Sequence, residues 1–200
     1  AILRAGYYGD VKIMLPMITT LSEIKKAKDL IEIAKDDLKK RKILFDDNVK
    51  IGIMIEVPAA AVLSSRLAEF VDFLSIGTND LVQYTLAIDR VDDEVNYLYD
   101  PFNSAVLMLI KNVIDSGERH GIDVSLCGEM AGDKQFTKLL LGMGLKSFSM
   151  HPSAIPEVKK VIVESNIGKL NKLASKIIKC VDSTDKQNLI EKINKDSTNH

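Results

Sequence analysis

Ile51-Gly52-Ile53-Met54-Ile55-Glu56-Val57-Pro58 is the stretch on which the fold turns. Apolar residues run through it continuously instead of alternating with polar ones. That is the pattern of a strand buried on both faces, as a parallel sheet covered by helices requires, although so short a run also suits a fragment of buried helix. Its neighbours favour the strand. Val11 to Met17, Phe73 to Gly77, Val124 to Cys127 and Phe148 to Met150 are apolar segments of the same kind, spaced along the chain.

Between these segments the period changes to that of helices. From Thr20, where Thr20 and Glu23 form a capping box, Ile24, Ala27, Ile31, Ala34 and Leu38 make one apolar stripe, and the other face carries Lys and Asp. A second helix is predicted from about Ser104 to Arg119, with Val106, Leu109, Val113 and Ile114 inward and Gly121 just past its end. Asp133 caps a third through Leu141, and Pro156 suits the first turn of a fourth. Strict alternation of strand and helix implies parallel βα units with right-handed crossovers, in a barrel or an open doubly wound sheet. Five strands are too few to close a barrel. Asp182 to His200 is charged enough to be a surface helix followed by a frayed end.

The bulk properties are those of one soluble globular domain able to bury a core: 200 residues, 46% hydrophobic and 28% charged. Lys and Arg total 27 against 28 Asp and Glu, so nothing indicates a broad attraction to nucleic acid or anionic membrane, and an anionic ligand must be caught locally. Cys127 and Cys180 are too few for a disulfide framework and lack zinc-site spacing, which points to a reducing, cytoplasmic compartment. No apolar stretch approaches the ~20 residues of a membrane helix. Ala1 to Gly6 has no signal-peptide features and reads as a helix entered part-way.

In parallel α/β folds ligands sit at the carboxyl ends of the strands, and three segments carry polar residues there. One ends at Glu56, one continues as Gly77-Thr78-Asn79-Asp80, and one runs Cys127-Gly128-Glu129-Met130-Ala131-Gly132-Asp133. Glu56 and Asp80 make an ordinary Mg²⁺ site if they converge with waters and a phosphate; otherwise Glu56 is a salt-bridge partner and Asp80 serves a turn. Cys127 is either an inert buried thiol or, beside a helix N-terminus or a cation, a group of lowered pKa that exchanges protons near neutrality. Arg90, on the long connection after the third strand, can reach over the rim to grip phosphate or carboxylate, or can pair with Asp89, Asp92 or Asp93. His120, His151 and His200 receive no catalytic role.

Taken together these segments resemble the family of phosphoenolpyruvate-utilising enzymes, which includes Enzyme I of the bacterial sugar phosphotransferase system, pyruvate phosphate dikinase and phosphoenolpyruvate synthase. The resemblance spans roughly Ala1 to Ser165. Ser75-Ile76-Gly77-Thr78-Asn79-Asp80-Leu81 with Gln83 is similar to the family's signature loop. Tyr84 to Arg90, the Cys127 loop, and Gly142-Met143-Gly144-Leu145 leading into Phe148-Ser149-Met150 resemble the Enzyme I branch, where a dikinase would more typically show a His and a second Gly after the Glu of the Cys loop.

The resemblance implies an incomplete (β/α)₈ barrel of about the last five units, with residues 1–182 forming the phosphoenolpyruvate-binding body and 183–200 a C-terminal surface helix and tail. The barrel's first three strands, with further phosphate-binding arginines, are then expected before Ala1. Glu56 and Asp80 correspond to Mg²⁺ ligands, Asn79, Asp80 and Arg90 to substrate contacts, and Cys127 to the proton donor. The implied reaction passes the phosphoryl group of phosphoenolpyruvate to a histidine on a separate N-terminal domain, which serves the phosphocarrier protein HPr, and leaves pyruvate. A homodimer formed through this domain is also implied. The alternatives are a dikinase or synthase fragment and a non-catalytic dimerisation module.

Overall fold

The computed structural model describes residues 1–195; positions 196–200, which include the expected frayed end and His200, lie outside the described residues. In chain order the elements are α1 (Ile2–Gly6), β1 (Lys12–Leu15), α2 (Leu21–Lys40), β2 (Lys50–Ile55), α3 (Pro58–Val62), α4 (Ser64–Ala68), β3 (Phe73–Gly77) and α5 (Thr78–Leu86). There follow α6 (Ser104–His120), β4 (Asp123–Cys127), α7 (Glu129–Gly132), α8 (Lys134–Gly142), β5 (Ser147–Phe148), α9 (Ile155–Val163), α10 (Ile167–Lys179) and α11 (Ser183–Lys195). The strands form one five-stranded sheet in chain order, and every neighbouring pair is parallel. The α/β class and the parallel sheet expected from the alternation are therefore present.

The register separates two faces. Leu15, Ile53, Leu74 and Val124 lie abreast, as do Ile55, Ile76, Leu126 and Phe148. Ile53, Ile55, Leu74, Ile76 and Leu126 are fully buried in a cluster shared with Leu107 and Ile110 of α6, Leu139 and Leu140 of α8, and Ile177 of α10. Each such side chain contributes about 1.5–3 kcal/mol on leaving water. On the opposite face Met14, Gly52, Phe73 and Asp123 lie abreast, followed by Met54, Ser75, Ser125 and Ser147. This face is more open: Met14 is 43% exposed, and Lys12, Asp123 and Ser147 are exposed. The expectation of burial on both faces therefore holds for the central strands β2 and β3, where Gly52 is buried and Ser75 is only 5% exposed, and fails at the flanking strands. The helix-packed face carries the branched aliphatics, and its reverse carries small and polar residues.

Helix α2 begins as its cap chemistry dictates. The Glu23 carboxylate accepts from the backbone N–H groups of Thr19 and Thr20, both at 2.8 Å, and from the Thr19 hydroxyl at 3.0 Å. These bonds, led by the Thr19 amide, hold its pKa at about 2. The stripe differs from the expected one at a single place: Ala34 is exposed, and Lys35 is buried with Nζ on Glu32 and on the Asp47 carbonyl. The carboxylate form of Glu23 is favoured in the folded state, so its stabilisation is complete above the unfolded value near 4.5 and is lost as pH falls through about 2. Glu23→Gln is expected to lower the melting temperature at pH 7, with the difference from wild type closing as pH drops from 4.5 towards 2. Thermal scans across that range check it.

Three other ends match their signals: Gly121 ends α6 at φ 65°, Asp133 caps α8 by accepting from Gln135 N, and Pro156 stands in the first turn of α9. Asn103, for which no role was expected, caps α6 by accepting from Ala105 N. Helix α11 buries Ile190 and Ile193 in the main core. Lys186 Nζ, from the same helix, donates to the Phe102 carbonyl at 3.2 Å. No helix among the described residues is long and apolar enough to cross a membrane.

Candidate active site

The carboxyl ends of β2, β3 and β4 are adjacent, so the residues that follow them share one rim. Glu56 follows β2 directly and is only 4% exposed. Its Oε1 accepts from the Met17 backbone N–H at 2.7 Å, fastening the segment after β1, where Met17 takes the left-handed φ of 53°. Among the described residues no salt bridge involves it, so that alternative is set aside. Room for this carboxylate comes from Gly77, where a Cβ would lie 3.1 Å from Glu56 Oε2.

At Gly77 the chain passes straight from β3 into α5, so Thr78, Asn79 and Asp80 form the first turn of a helix. Asp80 therefore serves no loop turn; its charge stands at a helix N-terminus, where an anion is favoured. Among the described residues no cation pairs with Asp80 or with Glu56. The Asn79 side chain is oriented by its Oδ1, which accepts from Glu129 N at 3.0 Å. That bond consumes the acceptor and leaves the two N–H donors of Nδ2 for something else.

The Cys127 loop is laced to this turn. Thr78 Oγ1 donates to the Cys127 carbonyl at 2.8 Å, and Gly128 adopts φ 90°. A Cβ at Gly128 would collide with Thr78 Oγ1 and come within 2.8 Å of Asn79 Oδ1, so this close approach needs glycine. The Cys127 thiol is half-buried, and its pKa is pushed up, first by burial and further by the charges of Glu56 and Asp80; a hydrogen bond with Ser75 opposes this. Of the two readings of Cys127, the thiol of lowered pKa is therefore set aside, because burial and the charges of two carboxylates both favour the protonated form. At neutral pH Cys127 carries its proton. Its alkylation rate is accordingly expected to be low at pH 7–8 and to rise only through a pH above the ordinary thiol value of 9.0, as a stopped iodoacetamide time course would show.

Arg90 lies beyond α5, which extends through Tyr84–Leu86 and ends at Ala87, where φ is 54°. The expected long connection is thus helical for its first part. Arg90 N donates to Gln83 Oε1 at 3.3 Å, and Nη1 lies 3.4 Å from Glu129 Oε1. Pairing with Asp89, Asp92 or Asp93 does not occur: these accept from Val91 N, Glu94 N and Asn96 Nδ2. Tyr99 completes the rim, its hydroxyl donating to the Asn79 carbonyl at 3.4 Å. Burial raises the phenol pKa, as do Glu129 and Asp80, against Arg90, so all three charges lie within electrostatic reach of one hydroxyl.

Glu56, Asn79, Asp80, Arg90 and Cys127 are thus brought together. Sequence reasoning passed over Ser75, Thr78, Tyr99 and a role for Glu129. Ser75 was within reach, since it stands two residues before Gly77 and so on the strand face that carries Cys127 in register. Tyr99 carries no local signal, because only the packing of the 87–103 connection brings it back to Asn79. His120 bonds Ser65 and His151 bonds Ser153, neither a rim residue.

Sequence comparison decides the family. Residues 1–167 match the profile described as PEP-utilising enzyme, PEP-binding domain. The chain belongs to this family of phosphoenolpyruvate-utilising enzymes. Similar relatives are proteins named phosphoenolpyruvate-protein phosphotransferase. That of Buchnera aphidicola subsp. Schizaphis graminum is 46% identical over 96% of this chain and 34% of its own length. Those of Borreliella burgdorferi and Listeria monocytogenes are 48% and 45% identical, over 89% and 96% of this chain and 31% and 34% of theirs. The chain spans about a third of the length of these curated relatives. In fold it resembles a citrate lyase from Burkholderia xenovorans LB400, with TM-score 0.56 at 16% identity, covering 88% of this chain and 56% of that one. For this family member the rim offers two hard carboxylates, amide and guanidinium donors and a protonated thiol, a set suited to an anion held with a hard cation. Among the described residues no cluster of three His, Cys, Asp or Glu forms a self-sufficient metal cage.

Proposed function

We propose that this chain is the phosphoenolpyruvate-binding portion of a phosphoenolpyruvate-protein phosphotransferase, binding phosphoenolpyruvate with Mg²⁺ at the rim and supporting phosphoryl transfer to a histidine of a separate domain. The observation that carries the proposal is the convergence of Glu56, Asn79, Asp80, Arg90 and Cys127 on one end of the sheet. Mg²⁺ fits the donor set: two carboxylates with no cation partner among the described residues, leaving further positions to water and ligand oxygens. Glu56 and Asp80 would hold it, and when bound it would neutralise charge on the phosphate and the leaving oxygen.

The remaining chemistry belongs to the chain's own groups. Arg90 grips the phosphate by its planar fork of donors, and the Nδ2 donors of Asn79, freed by the Glu129 amide, add a directed contact. Loss of the phosphoryl group leaves pyruvate enolate, whose methylene carbon needs a proton. Cys127, kept protonated by burial and by the neighbouring carboxylates, supplies it.

Helices pack on the aliphatic face of the sheet and the reverse face is open at its flanking strands, which supports five consecutive units of a (β/α)₈ barrel wall over a doubly wound sheet covered on both sides. In this proposal residues 1–182 are the barrel body and 183–195 the closing helix. The whole enzyme would be a cytoplasmic homodimer passing phosphate through its histidine domain to HPr for sugar uptake. The relatives' name favours this over a dikinase or synthase.

The test is calorimetric titration of the chain with phosphoenolpyruvate in Mg²⁺. Weak binding is expected, measurably weaker still in Asp80→Asn and in Arg90→Ala. Absence of heat, or binding indifferent to both substitutions, rejects the site and leaves the non-catalytic dimerisation module.

A further inference from the structure

Glu129 touches two of the residues assigned to the anion, through different atoms. Its backbone N–H donates to Asn79 Oδ1 at 3.0 Å, and its carboxylate Oε1 stands 3.4 Å from Arg90 Nη1. We infer that Glu129 is a further residue of this site, a placeholder whose carboxylate occupies the Arg90 guanidinium until the phosphate of an incoming ligand replaces it, while its main chain keeps the Asn79 amide turned with its donors outward. The inference rests on the proposed reading of the rim as the phosphoenolpyruvate site.

The two ends of Glu129 are built differently. Its main chain is fixed, because Gly128 fits against Thr78 and Asn79 where a Cβ would not, and because Thr78 holds the Cys127 carbonyl. Its side chain is 79% exposed and the guanidinium 34%, so the carboxylate is free to swing away. The partners stand 39 residues apart on separate loops, and the pairing is selective. Asp89, Asp92 and Asp93, closer to Arg90 along the chain, are engaged with Val91, Glu94 and Asn96. Carboxylate and phosphate compete for the same guanidinium donors, and an exposed, solvent-screened pair is weak enough for a phosphate to displace. Arg90 is therefore held near its working position in the empty site and released on ligand arrival.

The test compares phosphoenolpyruvate binding in Mg²⁺ by calorimetry for wild type, Glu129→Gln, Glu94→Gln, Arg90→Ala and the Arg90→Ala/Glu129→Gln double variant. Glu94 lies on the same connection as Arg90 and forms no ion pair among the described residues, so its substitution makes the same charge change without removing a competitor. Glu129→Gln is expected to tighten binding by roughly two- to five-fold, the range an exposed pair allows. Glu94→Gln is expected to change it little, and the gain should vanish when Arg90 is absent. Equal or weaker binding by Glu129→Gln, an equal gain from Glu94→Gln, or a gain that survives Arg90→Ala overturns the inference. Wild-type affinity in Arg90→Ala, or no binding by any variant, instead rejects the site on which it rests. In the ligand-free protein the Arg90 Nε–Hε resonance should shift in Glu129→Gln, and an unmoved resonance shows that the pair is absent in solution and overturns the inference without any ligand.

Discussion

Cys127→Ala in the complete phosphotransferase proposed above is expected to lower pyruvate formation by roughly 10²- to 10⁴-fold, the range of a lost general acid, while phosphoenolpyruvate affinity stays within about two-fold. The thiol is half-buried between Ser75, Glu56 and Asp80, and its raised pKa makes it a donor already carrying its proton, unlike a thiolate nucleophile. Alanine keeps the β-carbon and the loop, whose geometry depends on the Cys127 carbonyl and not on the thiol. Phosphoryl transfer to the acceptor histidine should survive, so the enolate would leave and take its proton from water. Separate measurement of phosphohistidine and of pyruvate labelled from heavy water tells the two steps apart. Loss of both in equal measure would assign Cys127 to phosphoryl transfer, and retention of normal turnover would remove it from the mechanism. In the reverse direction the same environment is unfavourable, because a thiolate there faces two carboxylates.

How much of this was legible before the structure depended on the range of the interaction. The strands, the caps of α2 and α8 and the glycine end of α6 were readable because each signal lies within a few residues: Glu23 three residues after Thr20, Asp133 beside Gln135, Gly121 just past Arg119. The rim residues were readable because the βα alternation alone places strand ends together. The opening of the reverse face at the sheet's flanks was not, since Met14 of β1 is apolar yet 43% exposed while Gly52 beside it is buried, a matter of what packs over each strand. Nor was the direction of the Cys127 shift, which depends first on burial of the thiol and then on Glu56 and Asp80 arriving from β2 and α5. Lys35 escaped for a related reason: a lysine on an apolar stripe is tolerable only where Glu32 and the Asp47 carbonyl receive its ammonium, and the second partner comes from beyond the helix.

Glu56 is expected to show two separable losses, because one oxygen serves the fold and, in the proposed site, the carboxylate as a whole serves the metal. Glu56→Gln retains an oxygen able to accept the Met17 N–H, so the left-handed turn at Met17 stays fastened and the melting temperature should change little. Mg²⁺ affinity should nevertheless fall by at least roughly 10- to 100-fold, the loss typical when even an indirect partner of a metal ligand is removed. Glu56→Ala adds the structural loss: a part-buried N–H that donated at 2.7 Å is left without its acceptor, at about 1–3 kcal/mol, and stability falls with metal affinity. A metal-free measurement supplies an independent check. The Glu56 charge helps to raise the Cys127 pKa, so Glu56→Gln should bring the onset of thiol alkylation to lower pH, towards the ordinary value of 9.0. If Glu56→Gln were as destabilising as Glu56→Ala and left both metal affinity and thiol titration unchanged, Glu56 would be a structural acceptor for Met17 alone. The two-carboxylate site would then reduce to Asp80, which by itself is too little to hold a hard cation against water, and the rim would bind its anion through Arg90 and Asn79 without a metal.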